Sequence, residues 1–493
     1  MSKTEDHGKQ WKTLDKDLNR ITQFESATFH IARPMVGLGV ALAFIIVAGL
    51  LAAFLFGGQP GSALVIAAAA LGAYMAINIG ANDVANNMGP AVGANALTMG
   101  GAIVIAALFE SAGALLAGGD VVSTISKGII DPTAMADTRI FIWAMMAALL
   151  SSALWVNLAT WIGAPVSTTH AVVGGVMGAG IAAAGFGTVN WASMGTIAAS
   201  WVISPLLGGV IAAGFLWFIK ARIIYQPDKI AAARVWVPVL IGIMMGTFAT
   251  YLAVKGLNKI VRIDLLSALL IGLAVGALSY VGSAPLVRRQ SQGLENRNKS
   301  LKALFGLPLV ISAALLSFAH GANDVANAVG PLAAIVHANA EGAFSGSVNI
   351  PHWVMVIGAL GISFGLILFG PKLIRMVGSQ ITKLNPMRAY CVALSAAITV
   401  IVASWLGLPV SSTHIAVGGV FGVGFFREWY HEKRLDETAR KSSIKRIAAE
   451  ERRRRKLVRR SHFMTIVAAW VITVPAAATM SAVVFWFLSH LAG

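Results

Sequence analysis

Apolar runs long enough, or nearly long enough, to cross a bilayer recur along the whole chain with short polar stretches between them. They cover residues 34–57, 62–79, 98–118, 139–162, 171–186, 191–219, 235–255, 265–286, 303–319, 352–370, 389–406, 414–426 and 463–490. A helix needs about 20 apolar residues to span the hydrocarbon core. In that medium the backbone has no water to bond, so such runs form helices. The pattern predicts an all-α polytopic membrane protein. The runs at 171–186 and 414–426 are short and glycine-rich and read as broken or re-entrant half-helices, so 11 to 13 transmembrane segments are expected. A polar leader of more than 30 residues precedes the first run, which is itself span-length, so it does not read as a cleavable signal.

Composition narrows the class further. Of 493 residues, 57% are hydrophobic and only 12% charged, against about 25% charged in a soluble domain. Soluble enzymes, disordered chains and disulfide scaffolds are excluded on that ground. Cys391 is the single cysteine, so no intrachain disulfide can form. A net charge of +17 would suggest nucleic acid in a soluble chain. Here Lys and Arg lie between apolar runs, which is a topology signal, and no nucleic-acid partner is expected. Residues 427–461 hold fourteen of them, with smaller groups at 220–234, 288–302 and 372–388. A cytoplasmic N-terminus and thirteen crossings put all four groups on the cytoplasmic face of a cell (inner) membrane, with the C-terminus outside. Only the 255–262 stretch (Lys255, Lys259, Arg262) falls outside against the rule.

The chain is internally duplicated. GANDVANNMGP begins at Gly80 and GANDVANAVGP at Gly321, 241 residues on. GAPVSTTHAVVGG begins at Gly163 and GLPVSSTHIAVGG at Gly407, 244 residues on. WVIS at Trp201 and WVIT at Trp470 form a weaker third pair, set farther apart by the basic 427–461 insertion. Counting crossings gives the copies opposite orientations, an inverted repeat of the kind found in secondary transporters with a site near the midplane. The expected organisation is a leader and extra span at 1–61, a first repeat at 62–219, two connecting spans at 220–302, and a second repeat at 303–493.

Acidic residues are nearly absent from the apolar regions. The exceptions are Asp83 and Asp324 in the paired motifs, and Glu110 within 98–118. A carboxylate at membrane depth costs about 2.5–3.5 kcal/mol even on the lenient insertion scale, so these residues should face a polar cavity with partners. Asn82, Asp83 and Asn86 share one helical turn, as do Asn323, Asp324 and Asn327. Such oxygen clusters suit a hard cation, Na⁺ at Asp83 and Asp324, or a proton on the carboxylates. In the second motif, Pro165 and Pro409 can break the chain before Ser167, Thr168, Thr169 and before Ser411, Ser412, Thr413. Hydroxyls and free backbone N–H groups of two helix starts would then converge on a tetrahedral oxyanion without Lys or Arg. Ordinary N-capping accounts for one hydroxyl per helix, not three. Two carboxylates repel a dianion, so its loading should require the cation. Phosphate, which keeps a proton near neutral pH, is favoured over sulfate. His170 and His414 follow the triplets as pH-sensing or oxyanion-bonding candidates. Glu110, opposite Ile362 when Ser111 is aligned with Ser363, is a third cation ligand or an accessory proton site. His320 stands opposite Ile79 and is the weaker candidate for lacking a counterpart. The basic 427–461 segment reads as an amphipathic helix and a topology signal that touches anionic lipid.

With GANDVAN twice and PVSTTH and PVSSTH once each, residues 62 to 490 resemble the inorganic phosphate transporter (PiT) family of symporters. The resemblance implies an inverted-repeat fold with inorganic phosphate at Ser167, Thr168, Thr169, Ser411, Ser412 and Thr413. It places the coupling cation, Na⁺ or H⁺, at Asn82, Asp83, Asn323 and Asp324, with Asn86 and Asn327 beside them. Some members carry His before the first Asp and couple to protons; Asn82 is closer to the sodium-using members. No further cofactor is expected, and the candidate assembly is a homodimer in the lipid bilayer. The rival within the family is a sulfate permease. A membrane enzyme acting on lipid phosphates would need paired Asp clusters for Mg²⁺, or Arg near the phosphates, which the spans lack. The short connection between the halves, unlike the large cytosolic domain of animal relatives, suggests a bacterial protein.

Overall fold

The computed structural model describes residues 35–162, 166–256, 261–341, 350–380, 384–442 and 460–491. The polar leader, Pro165 and residues 443–459 of the basic segment lie outside the described residues. The described chain is helical: α1 Met35–Phe56, α2 Ser62–Gly93, α3 Met99–Ala117, α4 Gly119–Lys127, α5 Thr138–Ile162, α6 Thr168–Ala184, α7 Trp191–Ile219, α8 Lys229–Lys255, α9 Leu265–Gln290, α10 Leu301–Leu304, α11 Gly306–Glu341, α12 His352–Gln380, α13 Pro386–Trp405, α14 Ser412–Ser442 and α15 Arg460–Leu491. The one β contact among the described residues is an isolated bridge between Ile130 and Val189. Eleven helices are long and apolar enough to cross a membrane, the lower end of the expected range. α6 has 17 residues and falls short of that length.

Helix starts follow local chemistry. Thr98, Asn190, Asp228, Asp264 and Asn385 each accept a backbone N–H of the first turn on a side-chain oxygen. Two elements extend well past their apolar runs: α2 and α11 continue unbroken through the Asn–Asp motifs and past Pro90 and Pro331. Hydropathy falls at the Asn and Asp residues, yet the helix persists because their side chains find partners in other helices. α4, a short helix between two longer ones, was not legible as a span; it buries Val121, Val122 and Ile125 and packs on α11.

Helices of the first repeat pack on helices of the second. α2 runs alongside α12: Gly361 abuts Ala73 and Ala76, Gly365 abuts Ile77 and Ala81, and Gly370 abuts Val84. α3 runs alongside α11 in the same way, Gly113 against Phe318 and Gly321 against Glu110. Gly174 and Gly178 of α6 meet Val474 and Ala478 of α15, just as Gly418 and Gly422 of α14 meet Pro205 and Gly209 of α7. Gly113 on Phe318 and Gly365 on Ile77 join corresponding positions of the two sequence repeats, as do Gly174 on Val474 and Gly418 on Pro205. Small residues allow such approaches between apolar helices. α8 and α9 stand apart as a hairpin joined through Gly242, Gly246, Gly272 and Gly276.

Candidate functional site

Two equivalent pairs of side chains touch their own repeat copies. Ser111 Oγ lies 2.7 Å from Ser363 Oγ, and the rings of His170 and His414 are 4.4 Å apart edge to face. The two sequence repeats therefore meet at these pairs, and the repeated motifs of both halves come together.

Local chain geometry presents the second motif. After α13, Gly407 takes a left-handed conformation at φ +68°, and the Leu408 N–H bonds back to Ala403 while the Gly407 N–H bonds to Ser404. That is a glycine helix stop, open to few other residues. The chain then runs extended to Ser411. Asn323 holds this stretch: its amide donates to Ser404 Oγ and Leu408 O, and its carbonyl accepts from Val410 N. Ser167 and Ser411 cap α6 and α14, accepting from the His170 and His414 N–H groups at 3.1 and 3.3 Å. Of each hydroxyl triplet, then, the first member performs the capping that one residue per helix must.

The remaining hydroxyls face the first motif. Thr168 Oγ1 donates to Asp83 Oδ2 at 2.9 Å, and Thr413 Oγ1 donates to Asp83 Oδ1 at 3.2 Å. Asn86 donates to Thr413 Oγ1 at 2.7 Å and to Asp83 Oδ1 at 3.3 Å. On the other side Ser412 Oγ donates to Asp324 Oδ2 at 3.4 Å, and Asn327 donates to Thr169 and Thr168 at 3.1 and 3.4 Å. Thr169 in turn donates to Val410 O at 3.0 Å. Each Asn thus reaches a hydroxyl of the opposite half. Asn82 instead donates to Thr160 on α5, leaving its carbonyl oxygen without a hydrogen bond. Asp324 Oδ1 and Asn327 Oδ1 share that condition. Buried oxygens of this kind, rich in lone pairs and free of donors, suit a hard cation.

His320 is the residue whose place the sequence underrated. Fully buried, it lies with Nε2 2.9 Å from Asp324 Oδ2 and 3.8 Å from Asp83 Oδ2, and with Nδ1 3.3 Å from Glu110 Oε2. Lacking a counterpart argued against it. Where the two motifs meet, however, one side chain can serve both Asp83 and Asp324. Ile79 and Ile362 occupy the equivalent positions of His320 and Glu110. Asn87, which sequence reasoning passed over, donates to Glu110 Oε1 at 2.8 Å and completes a one-sided polar chain. Ligating atoms of Asp83, His320 and Asp324 lie within 4.8 Å of one another, a spacing that can hold a cation. His170 and His414 are elsewhere: their rings meet each other, His170 also meets Trp201, and both line a cavity behind the cap serines.

The sequence profile described as the phosphate transporter family matches residues 79–481. A Helicobacter pylori protein named "Putative phosphate permease" is 45% identical over 96% of this chain and 99% of its own length. "Inorganic phosphate transporter 2-1, chloroplastic" of Arabidopsis thaliana is 35% identical over 85% of this chain and 71% of its own. A solved structure titled "The sodium-dependent phosphate transporter" superposes with a TM-score of 0.78 at 34% identity, covering 87% of this chain and all of that one.

Proposed function

The chain belongs to the phosphate transporter family, and from that premise we propose that it imports inorganic phosphate by symport with Na⁺. One observation carries the coupling: three of the six hydroxyls expected to bind phosphate, those of Thr168, Thr413 and Ser412, donate to Asp83 and Asp324. A hydroxyl has a single hydrogen to donate. Thr168 and Thr413 cannot hold Asp83 and a phosphate oxygen at once. A cation on the carboxylate takes over its lone pairs and releases both hydroxyls toward the anion. It also removes the repulsion, which for a dianion about 5 Å from one carboxylate amounts to roughly 7 kcal/mol at an effective dielectric of ~20. Anion and cation therefore load together or not at all.

Na⁺ is chosen over H⁺ because the carbonyl oxygen of Asn82 and those around Asp324 offer neutral ligands beside the carboxylates. The structural relative is also titled as sodium-dependent. The same-direction packing of α2 on α12, with the short connection from α2 to α3, supports opposite orientations for α3 and its copy α12. Alternating access would follow from movement of one repeat against the other around a site between them. The chain performs no chemistry on phosphate in this reading. It sits in the inner membrane with its N-terminus cytoplasmic.

Labelled-phosphate uptake into proteoliposomes tests this directly, with an imposed Na⁺ or H⁺ gradient and excess sulfate or phosphate as competitor. Uptake should follow the Na⁺ gradient and be blocked by phosphate alone, and Asp83→Asn should abolish it with membrane insertion intact. Drive by the H⁺ gradient would replace the ion, sulfate competing equally would replace the substrate, and gradient-independent flux would end the symport reading.

A further inference from the structure

α3 stops at Gly118, and the chain crosses to α5 through α4 and residues 128–137. This crossing is tied down along its length. Gly118 abuts Val325 and Ile125 abuts Gly330, so α4 lies over the turn of α11 that carries Asp324 and Asn327. Thr124 Oγ1 donates to Gly407 O at 2.7 Å. Asp120 pairs with Lys255 at the end of α8. Beyond α4, the Asp131 N–H donates to Thr188 O, the Asn190 N–H donates to Ile129 O, and Ile130 bridges Val189 in the connection from α6 to α7. Lys and Arg bias places Gly118, Lys255 and residues 185–190 all at the outer face.

The bond to Gly407 reaches the site. Asn323 donates to Leu408 O and accepts from Val410 N, so Asn323 and Thr124 grip adjoining carbonyls of one stretch. That stretch delivers Ser411, Ser412 and Thr413 to the carboxylates, and Val410 within it is fully buried. The other repeat has no such donor: aligning Ser111 with Ser363 puts Met376 in the place of Thr124. The Asp120–Lys255 pair is partly exposed and holds little by itself. Packing of Val121, Val122 and Ile125, with the Thr124 bond, keeps α4 down.

We propose that α4 is the outer gate of the site, and that Thr124 on Gly407 O is its latch. The proposal rests on the symport reading, in which the site opens to each face in turn. Lifting α4 uncovers the Asp324 turn of α11 and releases Gly407 in the same movement. Solute entering from outside therefore meets the 407–410 stretch held by Asn323 alone.

In right-side-out membrane vesicles, Val410→Cys in the full-length protein is exposed to an impermeant maleimide. It should label slowly, several-fold faster when Thr124→Val removes the latch, and slowly again with Thr124→Ser, which keeps the hydroxyl. In a separate protein, Asp120→Cys and Lys255→Cys are joined by a bis-methanethiosulfonate spacer of the ion pair's length. Phosphate uptake should stop on cross-linking and return with dithiothreitol, and neither single cysteine should show that reversal. Labelling indifferent to Thr124, or uptake that continues through the cross-link, would overturn the gate and leave the symport reading intact. Labelling that follows Thr124 in a protein moving no phosphate under any gradient would support the gate and sink the symport reading instead.

Discussion

At the scale of single residues, His320 decides more than its sequence context suggested. Three carboxylates, Asp83, Glu110 and Asp324, converge on its two ring nitrogens, and among the described residues no lysine or arginine pairs with them. Removing one partner of a buried charge cluster typically costs about 3–5 kcal/mol, because the remaining charges stay uncompensated. His320→Ile should therefore sharply reduce the yield of folded protein. Combined with Glu110→Ile, which restores the residues of the opposite half at both positions, yield should largely recover; fluorescence-detected size exclusion measures both. If the single variant folds as well as wild type, His320 is not the element that compensates the carboxylates. Thr413 and Thr169 allow a subtler contrast. Thr413 joins Asn86 to Asp83, whereas Thr169 joins Asn327 to a backbone carbonyl. Losing one hydrogen bond to a charged group costs about 1.5–3 kcal/mol. Na⁺ must displace that donor from Asp83, so Thr413→Val should lower the Na⁺ half-saturation of uptake several-fold while weakening phosphate, and Thr169→Val should weaken phosphate with the Na⁺ half-saturation nearly unchanged. Equal shifts in both would break the link between Thr413 and the cation.

At the scale of elements, the helices carrying the site are held by glycines set against backbone. Gly178 faces the main chain of Ala478, and Gly422 that of Gly209. Main chain cannot yield as a flexible side chain can, and overpacking a tight contact costs at least 1–3 kcal/mol. Gly178→Leu and Gly422→Leu should each abolish recovery of folded protein. Gly195, in α7 with open space around it, should accept Leu without loss of melting temperature. A Gly422→Leu variant as stable as Gly195→Leu would show that α7 and α14 are not closely packed. The ends of α2 and α11 teach a related lesson. Hydropathy alone ended both at their motifs, where apolar residues give way to Asn and Asp. The helices continue because those polar groups are bonded across to α5, α6, α13 and α14, a compensation that no window of sequence contains.

At the scale of the whole molecule, orientation remains a prediction of charge. Lys and Arg bias puts the 220–228 and 291–300 connections inside and the 256–264 connection outside. Cys391 is buried, so single cysteines can be introduced over a quiet background. Gln226→Cys and Gln292→Cys should react with an impermeant maleimide only from the cytoplasmic face, and Arg262→Cys and Gln59→Cys only from outside. Labelling of Gln226→Cys from outside would reverse the topology.

Much of this architecture was legible before any coordinates. The hydropathy period requires membrane helices, since nothing else satisfies a backbone in hydrocarbon. The repeated strings name the candidate site residues, because two copies keeping Asn, Asp and the hydroxyl triplet single out those positions against a background of interchangeable Ala, Val and Gly. What sequence could not supply is which copy meets which. The exchange of partners between halves, Asn86 to Thr413 and Asn327 to Thr169, joins residues 327 and 158 positions apart. The merging of the hydroxyl and carboxylate groups into one network follows from that exchange. His320 and the chain from Asn87 through Glu110 acquire meaning only there as well. Position along a chain records spacing within an element. Contact between the two halves depends on how separate elements pack, and only the folded molecule sets that.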